Sequence, residues 1–230
     1  MVIGIVRDLV AHTTVRVSIS DLGEQSVEHS HFGSISSEGR YVSFHTLQGI
    51  VSGDTNSAND VFVRDMLLGT VERVSVSTAG ALANGPSSSE TMSRDGRFVL
   101  FLSGATNLDP RDTTNDTDLY LHDRLSGETR YVNVHPLDGT ANAEQTDLQL
   151  SADARRIYFR SGASNIDPRH PTTGPTTWTG VFVHDLVTHG TELQTLAYDG
   201  MLLSASPSDS FSTASSENVA LMPVTPQKLA

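Results

Sequence analysis

The sequence predicts an all-β fold: a small β-propeller of four four-stranded blades, the last blade closed by strands from the two ends of the chain. Two observations carry this prediction. A unit recurs, with a Ser-x-x-Gly-Arg type of turn feeding an apolar strand at residues 36–44, 93–101 and 151–159, then a second apolar strand ending in aspartate at 61–65, 119–123 and 181–185. The segments are short, rich in β-branched and aromatic residues, and punctuated by Gly, Pro, Asn, Asp and Ser, which leaves little room for the period of an amphipathic helix. A recurring unit of this size buries its faces only against copies of itself.

Residues 4–8, Gly-Ile-Val-Arg-Asp, are a degenerate copy of the second apolar strand, and the alternating run at 16–20 is the strand that follows it. Matching alternating runs stand at 73–77 and 130–134, and alternation marks a strand with one wetter face. A further strand precedes each turn, over 30–36, 88–93 and 146–151, so the unit has four strands and is a propeller blade. The chain thus opens with the last two strands of a blade. It closes, over 206–224, with what read as the first two, where Ser-Ser-Glu-Asn at 215–218 and Val-Ala-Leu-Met at 219–222 echo the turn and its strand. Joining the ends completes a fourth blade and leaves no unpaired sheet edge. The alternative is a ring of eight blades to which each of two chains supplies half, so the expected state is a monomer or a homodimer. Residues 1–227 form a single domain in this reading. Lys228, Leu229 and Ala230 match the scar that expression vectors leave.

With 37% hydrophobic residues, the 230-residue chain has enough apolar surface for one core. Its formal net charge of -12 repels a phosphate backbone, which argues against nucleic acid as a partner. No cysteine is present, which excludes a disulfide framework, a thiolate nucleophile and cysteine-type zinc sites. The apolar start is too short for a membrane span, and no membrane insertion is expected.

The repeated units resemble the TolB-like β-propeller repeat, whose copies read Ser-x-Asp-Gly-Arg, an apolar strand, a polar loop, and then Asp-Val-Phe-Val-x-Asp. The resemblance runs over about residues 4 to 222 and is most specific in the two central copies. In the third copy Ala154 replaces the turn glycine. The resemblance implies a propeller fold and a periplasmic or extracellular setting. It does not imply a particular activity.

Long, acidic, amide-rich loops join the second and third strands of the blades, and the fold sets them together on one face. The clearest covers 107–118, and a shorter relative covers 53–60. Carboxylate and amide oxygens at such spacing suit calcium, which takes six to eight oxygen ligands. Asp112, Asn115, Asp116 and Asp118 are the first candidates, followed by Asp54, Asn56 and Asp60. The other reading needs no metal, because Asp and Asn cap turns by accepting backbone hydrogen bonds. Neither loop has the full Asp-x-Asp-x-Asp-Gly calcium pattern, and the third loop, 165–175, has lost most of its carboxylates.

His29 and His31 stand two apart on a strand and so share a face. Either could bind a transition metal or act as a general base, the weak catalytic candidates of this chain. The alternative is two histidines satisfied by backbone or water. His122 and His184 occupy the repeat position of Arg7 and Arg64, and Asp8, Asp65, Asp123 and Asp185 also recur; a structural duty shared by the copies is the better account of both sets. Trp178, in the third loop, is a candidate ligand-stacking residue or else a packing contact on the rim. No Gly-x-Ser-x-Gly, His-Glu-x-x-His or Gly-Lys-Ser motif occurs.

Two functions are compatible with these features. The first is a non-catalytic binding or scaffold propeller that holds a protein or glycan on its loop-bearing face, with calcium ordering the loops. The second is a calcium-dependent hydrolase acting on a lactone, ester or glycan at the channel mouth, where a metal polarises the carbonyl and activates water.

Overall fold

The structure is a computed structural model that describes residues 4–20, 22–25, 28–47, 50–51, 56–113, 116–132, 134, 145–167 and 179–194. It begins with a hairpin of β1 (Ile5–Arg7) and β2 (Thr14–Arg16). The first complete sheet holds β3 (Ser30–Ile35), β4 (Tyr41–Thr46), β5 (Asp60–Asp65) and β6 (Val71–Arg73). The second holds β7 (Ser87–Met92), β8 (Phe98–Ser103), β9 (Asp118–Asp123) and β10 (Glu128–Tyr131). The third holds β11 (Gln145–Leu150), β12 (Arg156–Ser161), β13 (Gly180–Asp185) and β14 (Thr191–Leu193). Each sheet is an antiparallel meander in which spatial order equals chain order. No helix occurs among the described residues. These are three complete propeller blades and the outer half of a fourth. The strands expected to complete that blade, over 206–224, lie outside the described residues.

The inner and middle strands match the sequence-based boundaries to within a residue or two. The outermost strands differ. The alternating runs expected as strands over 16–20, 73–77 and 130–134 mostly follow the paired segments, because β2, β6 and β10 end at Arg16, Arg73 and Tyr131. The chain there leaves the ladder for tight loops, held by Ser20 N–H on the Glu24 carbonyl (2.8 Å), Ser77 N–H on the Ala81 carbonyl (2.8 Å), and bridges Ile19–Gln25 and Val76–Leu82. Both residue types of the run at 73–77 are buried there, Val74 and Ser75 alike, so the Val-Ser alternation does not mark a wet face.

One aromatic pair recurs across the second and third strands of each blade. Phe44 lies opposite Phe62, Phe101 opposite Tyr120, and Phe159 opposite Phe182. All six side chains are fully buried, and the rings stack with centroids 5.7, 5.8 and 5.4 Å apart. Such cross-strand pairs contribute about 0.5–1.5 kcal/mol each beyond their burial. The core lies between blades as well as within them. One cluster joins Leu100, Leu102 and Leu121 of the second blade to Ile157, Phe159 and Phe182 of the third. Another joins Val61 and Val63 of the first to Val99, Phe101 and Tyr120 of the second.

The repeated turn has a physical reason for each of its residues. Ser36, Ser93 and Ser151 accept the backbone N–H five residues later at 3.0, 3.0 and 2.8 Å. Gly39 and Gly96 take φ of 68° and 72°, the left-handed region that glycine enters without strain. Arg40 and Arg97 reach back to the aspartate that ends the third strand, pairing with Asp65 and Asp123 at 2.7 Å. The same aspartates accept backbone N–H groups of the following turn, from Leu67 and Leu68 on Asp65 and from Leu125 on Asp123. Each aspartate therefore fastens two turns at once, and the Arg40 hydrogen bond is the main reason the Asp65 pKa is lowered. In the third blade the lock is looser, with Arg155 and Arg156 at 3.4 and 3.8 Å from Asp185.

His122 and His184 have the structural duty expected from their repeat position. Each ring Nδ1 lies 2.8 Å from a threonine hydroxyl, Thr129 or Thr191. Those hydroxyls donate to the Val76 and Val134 carbonyls of the preceding blade at 2.5 and 2.6 Å. In the first blade Val71 replaces the threonine opposite Arg64, and Arg64 itself donates to the Ile19 carbonyl at 3.1 Å. One job, tying a blade to the one before it, is done by two side-chain combinations.

Two predictions follow from these braces. Ala154 occupies the turn-glycine position at φ 54°, so Ala154→Gly is expected to raise the unfolding free energy by about 1 kcal/mol in urea titration. Gly96→Ala should lower it by more, since its φ is also positive and its Cβ would lie 2.5 Å from the Tyr41 ring. Burial, with His189 nearby, lowers the His184 pKa from 6.5 to about 4. The unfolded chain then binds a proton that the folded chain refuses, so stability is lost as pH falls from about 6.5 to 4, by up to about 3 kcal/mol for this group. Thermal melts across that range should show a smaller decline for His184→Gln than for the parent protein.

Candidate functional site

The acidic loops prove to be braced from within. Asp60, wholly buried at the start of β5, accepts the Ser75 hydroxyl at 2.7 Å and the Asn56 amide at 3.1 Å. Arg73 lies 3.5 Å from the oxygen that takes the Asn56 amide. Asn56 also donates to the Ala83 carbonyl and accepts Ala58 N–H, at 2.8 and 3.0 Å. In the second blade the buried Asp112 accepts the Tyr120 hydroxyl at 2.5 Å. Burial, and then this carboxylate, push the Tyr120 pKa up. Asp118, also buried, is 3.3 Å from the Tyr131 hydroxyl. Asp116 is the exposed member of the set. Asp54, Asn115 and Trp178 lie outside the described residues.

Asp109 is a loop brace that the reading of motifs passed over. It holds Arg111 at 2.5 Å and accepts Tyr131 N–H at 2.8 Å. Burial opposes its charge, but Arg111 and the backbone donors outweigh that and hold its pKa at about 2. Asp167 has the same place in the third blade and accepts Leu193 N–H at 3.3 Å. The signal was present, since Asn-Leu-Asp-Pro-Arg at 107–111 recurs as Asn-Ile-Asp-Pro-Arg at 165–169. A repeated aspartate of this kind marks a fixed loop shape.

His31, on the inner strand of the first blade, and His29, just before that strand, meet a different environment. His31 on β3 stands directly opposite His45 on β4. Their rings stack 5.0 Å apart at an interplanar angle of 13°, and the His29 ring lies 6.5 Å from that of His31. His29 and His31 are exposed, whereas the His45 side chain is 16% exposed. Behind His45, its Nδ1 is 2.8 Å from Glu90 Oε2 on β7 of the next blade. Nδ1 is thus the ring nitrogen turned to Glu90, and Nε2 is the one left for another partner. The Glu90 side chain is wholly buried, and its Oε1 has no hydrogen-bond partner.

Two features of β3 and β7 allow this arrangement. The pairing of β7 with β8 slips between Ser88 and Thr91, where Ser89 takes a φ of 54°. The extra residue re-aims Glu90 toward the first blade. There it lies across Gly33, where a Cβ would stand 2.4 Å from Glu90 Cγ and Oε1. By register, the counterparts of His45 are Leu102 and Arg160, and those of Glu90 are Gly33 and Leu148. His45 and Glu90 went unnoticed in the sequence because neither belongs to a motif. Their departure from the repeat was the available signal.

The pair adds an electrostatic link between blades and presents imidazole edges to solvent. Among the described residues, no three His, Asp or Glu side chains converge into a ready-made metal cage. No helix of the described residues is long and apolar enough to cross a membrane.

Truncating Asp112 should test what its carboxylate does. Asp112→Ala leaves the Tyr120 hydroxyl with only the Ala105 carbonyl, at 3.1 Å. A loss of about 1–3 kcal/mol in unfolding free energy, equal with calcium and with chelator, is expected in denaturant titration.

No family model matches the sequence, and no curated protein does. Solved structures offer distant likenesses. A protein assigned as TolB from Agrobacterium tumefaciens is 14% identical, with a TM-score of 0.45, over 71% of this chain and 48% of that one. Tricorn protease is 14% identical with a TM-score of 0.46, over 78% of this chain and 15% of that one. An oligogalacturonate lyase in complex with manganese is 13% identical with a TM-score of 0.46, over 81% of this chain and 40% of that one. The chain spans less than half the length of each. The fold rests on the sheets themselves, and by its repeated four-stranded antiparallel meanders the chain is a β-propeller.

Proposed function

We propose that this chain is a non-catalytic binding or scaffold propeller that holds a protein or glycan partner on its loop-bearing face. The observation that carries the reading is the internal bracing of the loops. Asp60, Asp109, Asp112, Asp118 and Asp167 accept hydrogen bonds from Ser75, Tyr131, Tyr120 and neighbouring backbone. Carboxylates used in this way make the loops a preformed surface, which lowers the entropy cost of binding. Calcium has a smaller part in this reading than the composition of the loops suggests. It is left with the exposed Asp116 and with the candidates Asp54 and Asn115.

One observation favours the second reading, a calcium-dependent hydrolase of a lactone, ester or glycan. The His45–Glu90 pair has the arrangement of a histidine base oriented by a carboxylate. Catalysis through it would require turnover that falls at least about a hundredfold in His45→Ala.

The binding reading predicts a ligand on glycan arrays or a partner in pull-downs. That association should weaken at least tenfold when exposed loop residues are reversed in charge, as in Asp116→Lys or Arg111→Glu, with the melting temperature of Asp116→Lys unchanged. Absence of any ligand in both screens, or binding indifferent to both substitutions, overturns it. Melts with calcium and with chelator complete the test, because saturating calcium at a hundred times its Kd would add about 2.7 kcal/mol.

A further inference from the structure

We propose that His31 and His45, with His29 as a third imidazole, bind a divalent transition ion of the zinc or copper kind, with Glu90 as the carboxylate that orients His45. This site is separate from the acidic loops and goes beyond the binding function assigned to them.

The geometry begins with the cross-strand register. His31 and His45 stand opposite each other on neighbouring strands, with nearly parallel rings 5.0 Å apart. His29 follows on the same side, its ring 6.5 Å from that of His31. The rings are stacked and do not yet converge, so an ion must draw their edges together. Zinc–imidazole bonds of about 2.0–2.1 Å require the two ligand nitrogens to approach to roughly 3.3 Å in a tetrahedral site. Side-chain rotation supplies that motion, since His29 and His31 are exposed.

Glu90 makes the site more than a cluster of histidines. Its Oε2 lies 2.8 Å from Nδ1 of His45, so Nε2 is the nitrogen left to ligate an ion. Ligating histidines ordinarily place their second nitrogen against a carboxylate in this way, which fixes the ring and raises its basicity. Glu90 is also a wholly buried carboxylate whose Oε1 has no hydrogen-bond partner. A charge so placed is costly unless a positive charge stands near it. A cation on the far nitrogen of His45 supplies that charge one ring away.

Packing alone does not require these residues. At the matching contact between the second and third blades, Leu102 and Leu148 occupy the positions of His45 and Glu90, in one apolar cluster. An apolar pair therefore suffices to close that contact. Imidazole ligands select zinc, copper or nickel over calcium, which demands many oxygens.

The test is calorimetric titration of the untagged chain with Zn2+ and, separately, with Cu2+, followed by electron paramagnetic resonance of the copper form. The expected result is one site, weakened about tenfold or more in His31→Ala and in His45→Ala, with copper hyperfine coupling to at least two nitrogens. Glu90→Gln should weaken binding about 10- to 100-fold while leaving the number of nitrogen ligands unchanged. His45→Gln replaces His45→Ala if the latter fails to fold, and His31→Ala changes only an exposed side chain. Ion binding that persists undiminished in His31→Ala belongs to other histidines and overturns the proposal. So does a parent chain that binds neither ion.

Discussion

Burial between blades is the constraint on which the rest of this structure depends. A four-stranded sheet has two faces, and neither is covered by its own strands. Here Phe101 and Tyr120 of the second blade pack with Val61 and Val63 of the first, while Leu100 and Leu121 on the other face pack with Ile157 and Phe182 of the third. The second blade is thus completed by its neighbours, and stability in such an array is largely a sum of contacts of this kind.

Polar residues then hold the blades in the orientation that the apolar contacts allow. The arginine of each repeated turn pairs with the aspartate that closes the third strand, tightly for Arg40 and Arg97 and loosely for Arg155. Between blades, Arg64 or a His–Thr pair reaches a carbonyl of the preceding blade. The copies exchange partners together. Where Asp60 faces Arg73 and Asp118 faces Tyr131, the third blade has Gly180 against Leu193. A buried carboxylate persists only with a donor, and when the donor goes the carboxylate goes too.

Features that repeat were legible from residues alone, because repetition shows that a side chain serves the frame. The inner and middle strands, the turn glycines and the structural duty of His122 and His184 were read in that way. The outer strands were read as too long because their alternation continues into loops that stay buried on both sides, as Val74 and Ser75 show, after β6 and β10 have ended. The acidic loops looked like cation sites because oxygen-rich composition is shared by metal loops and self-braced turns. Tertiary structure adds the donors Tyr120, Ser75 and Tyr131, by which Asp112, Asp60 and Asp118 brace their loops.

The sequence by itself determined the blade, its strand order and the turn chemistry, since these depend on local pattern and on contacts that recur at a fixed spacing. Tertiary structure alone decided which unlike residues meet. His31, His45 and Glu90 come from three strands and two blades, and they are joined by a cross-strand register, a bulge at Ser89 and the absence of a side chain at Gly33. The register and the bulge recur from blade to blade, but which side chains they bring against Gly33 depends on how one sheet lies against the next.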